Sequence, residues 1–296
     1  VTTGTGNTFV GAEAGDGTQT GAVNTAVGYK ALSAVCGSGN TAIGVEALNA
    51  STNTRNTALG YHAGRVMTGG DNNTVLGYES GLAVLGGHNN TFVGRSAGLA
   101  VNSGNYNTLV GVGAGDNITS GDSNIIIGQG VDAASATADS QLNIGGWIVG
   151  SAGQITMPAQ PAFSVNPASS QENIAVAAQV TIVFGTEVFD VGSNFASNTF
   201  TAPVTGKYQL NLALRLESTD SASNYYQIRF LTSNRSYLIS FDIGGLSGDP
   251  TLWSEAFSVL ADMDASDTVS IAIYQASGTA QVDIHPETYF TGFLAC

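Results

Sequence analysis

The sequence predicts an all-β protein built in two ways: a parallel β-solenoid of 16–17-residue repeats, then an antiparallel sandwich or jelly roll. Three observations predict it. The phrase Asn-Thr-x-aliphatic-Gly returns at near-constant spacing through the first 128 residues. After residue 161 the apolar period falls to two. No helical stripe, with its three- and four-residue spacing, competes with either pattern.

The repeat is the stronger signal. Its Asn stands at Asn7, Asn24, Asn40, Asn56, Asn73, Asn90, Asn107 and Asn124, at intervals of 17, 16, 16, 17, 17, 17 and 17. A short fixed period of this kind means stacked coils. Three residues on comes an aliphatic column that includes Val27, Ile43 and Leu59, then a glycine column that includes Gly28, Gly44 and Gly60. A small residue follows three later, as in Ala31, Ala47 and Ser80. Sixteen residues suffice for two short strands and two turns, and eight coils stacked at about 4.8 Å make a rod roughly 40 Å long. The aliphatic column is expected to point inward. The Asn side chains are expected to stack as a hydrogen-bonded ladder, and Gly suits a turn or a close backbone approach. So thin a coil buries little and leaves open edges, which predicts self-association.

The copies NTAVGYKAL (24–32), NTAIGVEAL (40–48) and NTALGYHAG (56–64) resemble the left-handed parallel β-roll of trimeric autotransporter adhesin heads. They resemble still more the NTAVG repeats of bacteriophage tail fibres, over residues 4 to 130. The period here is longer than in adhesin heads. Residues 131–160 read as a connector, in which Asn143-Ile144-Gly145 echoes the repeat and SAGQITMPAQPA leads out as a linker.

From 161 to 296 the reading changes. In GKYQLNLALRLE, Tyr208, Leu210, Leu212, Leu214 and Leu216 alternate with polar or small residues, and Val269, Ile271 and Ile273 alternate likewise. These are strands with one buried face, and many of them in about 135 residues make a sandwich or jelly roll. PAFSV (161–165), FTAPVTGKYQL (200–210) and YFTGFLAC (289–296) resemble, in order, three signatures of the C1q/TNF-like jelly roll. That resemblance implies a homotrimer around a threefold axis, as does the resemblance of the repeats.

Composition narrows the function. Twenty-two acids against eight bases give −14, with −5 in residues 1–150 and −9 in 151–296, so no basic face offers itself to nucleic acid. No run of 18 apolar residues predicts membrane insertion, and no signal peptide is evident. Val1 rather than Met opens the chain, as in a fragment or processed form. Cys36 and Cys296 read as unpaired thiols. His62, His88 and His285 lack a nucleophile and supporting acid at recognisable spacing. Sparse carboxylates in the repeats disfavour a depolymerase, the single threonine file favours sheet packing over ice binding, and Tyr29, Tyr61 and Tyr78, in three of eight copies, favour a structural role over sugar stacking.

Candidate binding residues in the second part are Tyr225, Arg235, Tyr237 and Trp253, each with core or face packing as the alternative. Loops 217–224, 232–236, 244–251 and 276–287 are the better binding places. Asp262, Asp264 and Asp267 read as a solvated turn. Some C1q-like heads hold Ca2+, which makes Asp242 and Asp249 metal candidates by resemblance; no other cofactor is expected. The expectation is a non-enzymatic, homotrimeric receptor-binding tail-fibre protein of a virion, attaching to a host cell-surface glycan or protein. The alternatives are a bacterial cell-surface adhesin, which calls for a C-terminal anchor barrel not seen before Cys296, and a purely structural fibre part.

Overall fold

The computed structural model describes residues 3–151, 153–246 and 248–296. The chain divides into two compact units, Val1–Pro158 and Ala159–Cys296. Among the described residues no helix is long and apolar enough to cross a membrane, a statement that does not bear on β-barrels.

The first unit is a stack of coils, each contributing one three-residue strand. These are β1 (Thr8–Val10), β2 (Thr25–Val27), β3 (Thr41–Ile43), β4 (Thr57–Leu59), β5 (Thr74–Leu76), β6 (Thr91–Val93), β7 (Thr108–Val110) and β8 (Ile125–Ile127). They pair in parallel and in register, threonine on threonine as far as Thr108. One strand per coil replaces the expected two, because turns consume the rest. Each coil spends several residues in the left-handed region, for example Glu46 (φ 53°), Leu48 (φ 48°) and Arg55 (φ 58°).

The inward column is not the aliphatic one. Val10, Ile43, Leu59, Leu76 and Ile127 are exposed, Val10 at 56% and Leu59 at 45%, while Val27 is half-buried. The strand residue before that column is buried from the second coil on, at Ala26, Ala42, Ala58, Val75, Phe92, Leu109 and Ile126, and half-buried at Phe9 in the first. Strand parity explains the correction. Side chains alternate faces, and Asn24, Asn40 and Asn56 are fully buried. The residue two after Asn therefore shares its inward face, and the residue three after is sent outward.

The Asn ladder holds each coil to the next by two bonds. Asn40 Oδ1 accepts the backbone N–H of Asn56 at 2.9 Å, and Asn40 Nδ2 donates to the Asn53 carbonyl at 2.8 Å. Asn90 repeats this toward Asn107 (2.9 Å) and Gly104 (2.8 Å). These are polar groups that burial would otherwise leave unpaired. A second ladder runs two residues earlier in the coils. Thr54 N–H donates to Asp71 Oδ1 (2.8 Å), Asp71 N–H to His88 Nδ1 (3.0 Å), His88 N–H to Asn105 Oδ1 (2.9 Å) and Asn105 N–H to Asp122 Oδ1 (2.7 Å).

The glycine after each aliphatic residue has φ between 131° and 141° from Gly11 to Gly128. A Cβ on Gly28 would lie 2.6 Å from the Gly44 carbonyl oxygen of the next coil. The coils close only if that column stays bare.

Core volume is shared between the strand and its turns. Where the inward strand residue is Ala26 or Ala42, a turn leucine, Leu32 or Leu48, fills the space. Beside Ala58, where Gly64 takes the place of the turn leucine, the buried Met67 supplies it. Where it is Phe92 or Leu109, the equivalent turn residue is Gly98 or Gly115. Leu32 and Leu48 are held at positive φ, a conformation costing a side-chain-bearing residue about 1–2 kcal/mol. Their burial offsets that cost.

The stack ends by changing its pairing. β9 (Leu142–Ile144) is the last parallel strand, with Ile126 opposite Asn143 and Ile127 opposite Ile144. Asn143 thus occupies the inward strand place, and Gln141 stands where the ladder Asn would. The Gln141 N–H reaches Asn124 Oδ1 (2.8 Å), but its side-chain amide turns back to Ser135 and Ala138 of its own coil (2.8 Å each). β10 (Ile148–Ser151) and β11 (Gln154–Thr156) then pair antiparallel and close the sheet.

The second unit is a two-sheet antiparallel jelly roll. Its strands are β12 (Ala162–Asn166), β13 (Gln179–Thr181), β14 (Thr186–Asp190), β15 (Phe195–Ala196), β16 (Thr199–Thr201), β17 (Gly206–Glu217), β18 (Tyr226–Thr232), β19 (Ser236–Phe241), β20 (Leu252–Met263), β21 (Thr268–Gln275), β22 (Asp283–Ile284) and β23 (Tyr289–Leu294). One sheet has the order β14-β12-β23-β17-β20, the other β15-β16-β21-β18-β19, with β22 on β17 and β13 on β21. The alternating residues of β17 and β21 meet between the sheets as expected: Tyr208, Leu210, Leu212, Leu214, Leu216, Val269, Ile271 and Ile273 are all buried. Phe163 stacks on Phe200 (centroids 4.6 Å apart) and meets Phe290 edge-on (4.9 Å). The Tyr208 hydroxyl donates to the Val204 carbonyl (2.8 Å), which pays for its burial.

Candidate binding surfaces

In the first unit the outward parity of the strands builds an apolar row of Val10, Ile43, Leu59, Leu76 and Ile127. Two residues beyond each stands a second exposed row containing Tyr29, Val45, Tyr61, Tyr78 and Val112. Tyr61 and Tyr78 stack at 5.3 Å and 8°, and Lys30 Nζ lies 5.2 Å from the centre of the Tyr29 ring. Acidic and nitrogen-bearing side chains alternate up the neighbouring column: Glu13 with Lys30 (3.6 Å), and His62 between Glu46 (3.2 Å) and Glu79 (3.8 Å). Arg65 completes the group on Glu46 at 2.7 Å.

In the second unit, one sheet turns a mixed face outward. The rows Phe293–Gln209–Leu260 and Tyr289–Ala213–Ala256 flank a polar row, Thr291–Asn211–Ser258. Gln209 Nε2 donates to Ser258 Oγ (2.6 Å), and that hydroxyl donates to Asn211 Oδ1 (2.8 Å). Phe293, Leu260 and Tyr289 are exposed.

Three of the four expected loops meet at one end of the jelly roll. The buried Asp220 carboxylate organises them, accepting from the N–H groups of Ala222 (2.8 Å), Thr279 (2.6 Å) and Ala280 (2.8 Å). Those hydrogen bonds, Ala280 first, hold its carboxyl below the usual range despite burial. Ser221 reaches Asp249 Oδ1 through N–H (2.8 Å) and Oγ (2.6 Å), and the Asn224 N–H reaches Ser277 Oγ (2.9 Å). Loop 232–236 belongs to the opposite end, where Asp267 gathers Ser233 (2.6 Å), Asn234 and the Asp264 N–H (2.8 Å).

The four candidate binding residues do not form one site. Tyr225 precedes β18 and Arg235 follows it, so the length of that strand, about 20 Å, separates them. Arg235 is exposed in the turn closed by Thr232. Tyr237 and Trp253 pack against the core, and the Trp253 indole N–H is buried without a partner among the described residues. Asp242 Oδ1 caps the Gly244 N–H (2.7 Å) and Asp249 ties Ser221, so both metal candidates serve turns. Among the described residues no three His, Cys, Asp or Glu side chains gather to hold a metal ion. The sequence reading missed Arg229 and Tyr274. Arg229 lies 4.6 Å from the Tyr274 ring centre, a pairing set by cross-strand register that no motif announces.

No family model matches the chain, and no curated protein matches it. Solved structures do show partial likeness. The globular domain of zebrafish complement 1qA is 18% identical, over 46% of this chain and 98% of that one, with a TM-score of 0.36. Murine APRIL at pH 8.0 is 11% identical over 46% and 98%, with a TM-score of 0.34. PRD1 vertex protein P5 is 15% identical over 46% and 97%, with a TM-score of 0.34. The jelly-roll character of the second unit follows from its own strand order and does not depend on these likenesses.

Proposed function

We propose that the chain is a non-catalytic attachment protein, a homotrimeric virion fibre that engages a host cell-surface glycan or protein through several copies of its second unit. The observation that carries this reading is the outward aliphatic row. Leu59 and Leu76 sit in successive coils, each exposed, at places where a lone coil stack has no use for them. A row of that length favours burial against other copies of the same chain. The outward face of β17, β20 and β23 supports the same reading. Weak sites on linked copies gain apparent affinity by about 10²–10⁴-fold when they bind together.

The test is binding of the fluorescently labelled full chain to a panel of bacterial strains, with unlabelled chain as competitor. Saturable, competed labelling of some strains is expected. Absence of labelling on every strain would remove the attachment reading and favour a purely structural fibre part. A bacterial surface adhesin remains the second reading on the resemblance of its repeats, separated from the first by whether the chain is found on virions or on cells.

A further inference from the structure

We propose that the outer face of the sheet formed by β13, β21, β18 and β19 carries a site for a saccharide bearing a carboxylate, centred on Arg229 and Tyr274. This names a ligand class for the attachment reading and rests on it.

The site is built by register. Gln227 and Gln179 stand on either side of Tyr274 in one cross-strand row, and Arg229 and Thr181 on either side of Ala272 in the next. β21 alternates, so Val269, Ile271 and Ile273 face the core while Tyr274 and Ala272 face outward. Ala272 is nevertheless fully buried. Its small side chain leaves room for the long Arg229 side chain across it. The guanidinium is fixed on three sides. Nε donates to Gln227 Oε1 (2.7 Å), Nη1 donates to Gln179 Oε1 (2.7 Å), and the group lies over the Tyr274 ring at 4.6 Å. Gln227 is itself held by Ser240 Oγ (3.0 Å). Tyr225, 37% exposed, adds a second ring 6.2 Å from Tyr274.

What singles out this arginine is the nature of its partners. Arg65 and Arg215 each lie against a glutamate, and Arg55, Arg95 and Arg235 have neither an ion pair nor a guanidinium hydrogen bond to orient them among the described residues. Arg229 is oriented by two neutral amide oxygens and an aromatic face, and among the described residues no carboxylate pairs with it. Its charge is held in place and left uncompensated, and Nη2 has no hydrogen-bond partner among the described residues. A pre-positioned guanidinium recognises a carboxylate with charge-assisted hydrogen bonds. Neighbouring tyrosine faces suit the apolar side of a sugar ring. A saccharide with an acidic substituent satisfies both. The chain's net charge of −14 works against any anion at long range, so the contact has to be local, short-ranged and specific for the placement of the acid group.

The experiment uses the full chain and two acidic probes, 3′-sialyllactose and a galacturonic acid trisaccharide. Their neutral counterparts are lactose and the carboxyl-reduced trisaccharide. Binding is read by saturation-transfer NMR and by titration calorimetry. We expect at least one acidic probe to bind at least tenfold tighter than its neutral counterpart. Arg229→Gln and Tyr274→Leu should each weaken that binding at least tenfold, while Arg95→Gln, at an exposed arginine of the first unit, leaves it unchanged. Which acidic probe binds distinguishes sialic from uronic acids. Equal binding of acidic and neutral probes, unchanged binding by Arg229→Gln, or binding of neither acidic probe would overturn the proposal. The strain panel separates this from the wider reading. If Arg229→Gln labels cells as well as the native chain does, the site fails and attachment stands. If the native chain binds an acidic probe but no cell, the site stands and attachment fails.

Discussion

The ring of Phe92 lies against the backbone of Gly98, with three ring carbons 3.0 Å from where a Cβ on that glycine would sit. The pair shows how the coils keep one cross-section while their core residues range from alanine to phenylalanine. It also gives a clean test. Gly98 and Gly130 share a φ of 61°, but a Cβ on Gly130 would meet nothing within 4 Å. Gly98→Ala should therefore destabilise the first unit by about 1–3 kcal/mol more than Gly130→Ala, the difference being overpacking alone. Urea unfolding midpoints of the two variants measure it, and equal midpoints would mean that the Phe92 ring moves aside freely.

Asn90 sits in the middle of the ladder, accepting from the Asn107 N–H and donating to the Gly104 carbonyl. Asn90→Asp keeps the shape but turns the donor into an acceptor facing that carbonyl. The loss should be about 2–4 kcal/mol at neutral pH, because a buried carbonyl loses its donor and a charge is buried. Burial raises the new carboxyl, so the variant should recover stability relative to the native chain as pH falls. Thermal unfolding from pH 7 to pH 4 should show the two curves converging.

Asp132 is largely exposed, yet partial desolvation first, and then the charge of Asp116 nearby, raises its carboxyl above the ordinary value. A carboxyl raised on folding stabilises the fold while protonated, and that contribution is lost as pH rises through the raised value. Asp132→Asn should thus unfold at a higher temperature than the native chain at pH 7. The advantage should shrink toward acid pH. No gain at pH 7 would show that desolvation and the Asp116 charge together disfavour the ionised carboxyl too weakly to matter.

Cys36 is buried, with its Sγ 3.0 Å from the Thr18 hydroxyl, and burial pushes its thiol up. Cys296 is exposed. A thiol reagent at pH 7.5 should label Cys296 rapidly and Cys36 at least a hundredfold more slowly, since reactivity follows the accessible thiolate. Both should react at similar rates in denaturant, as read by mass spectrometry of the labelled peptides.

Much of this was legible in the sequence, and the failures have physical causes. The Asn, Gly and small-residue columns each do a job that one residue type does best, so they stand out as identities. The inward strand column varies from Ala26 to Phe92 because its volume is shared with turn residues such as Leu32, Leu48 and Met67, so no single one of these positions keeps one residue type through the repeat. The aliphatic column is uniform, which suggests core, yet uniformity serves a repeated external contact equally well. The second ladder mixes Asp71, His88 and Asn105, alike only in offering an acceptor. In the second unit the two-residue period located β17 and β21. The Arg229–Tyr274 pairing depends on which residues of separate strands fall opposite each other, and periodicity within a strand carries no such information.

The central claim is that the outward row of the first unit is covered by other copies of this chain. Sedimentation velocity of the full chain, native and as Leu59→Glu with Leu76→Glu, tests it most directly. Both side chains are exposed in the single chain, so the substitutions spare its own core. The account predicts three chain masses for the native protein and dissociation toward one for the double variant with its circular dichroism unchanged. A native protein that sediments as a single chain at micromolar concentration, or a double variant that stays assembled, would contradict it.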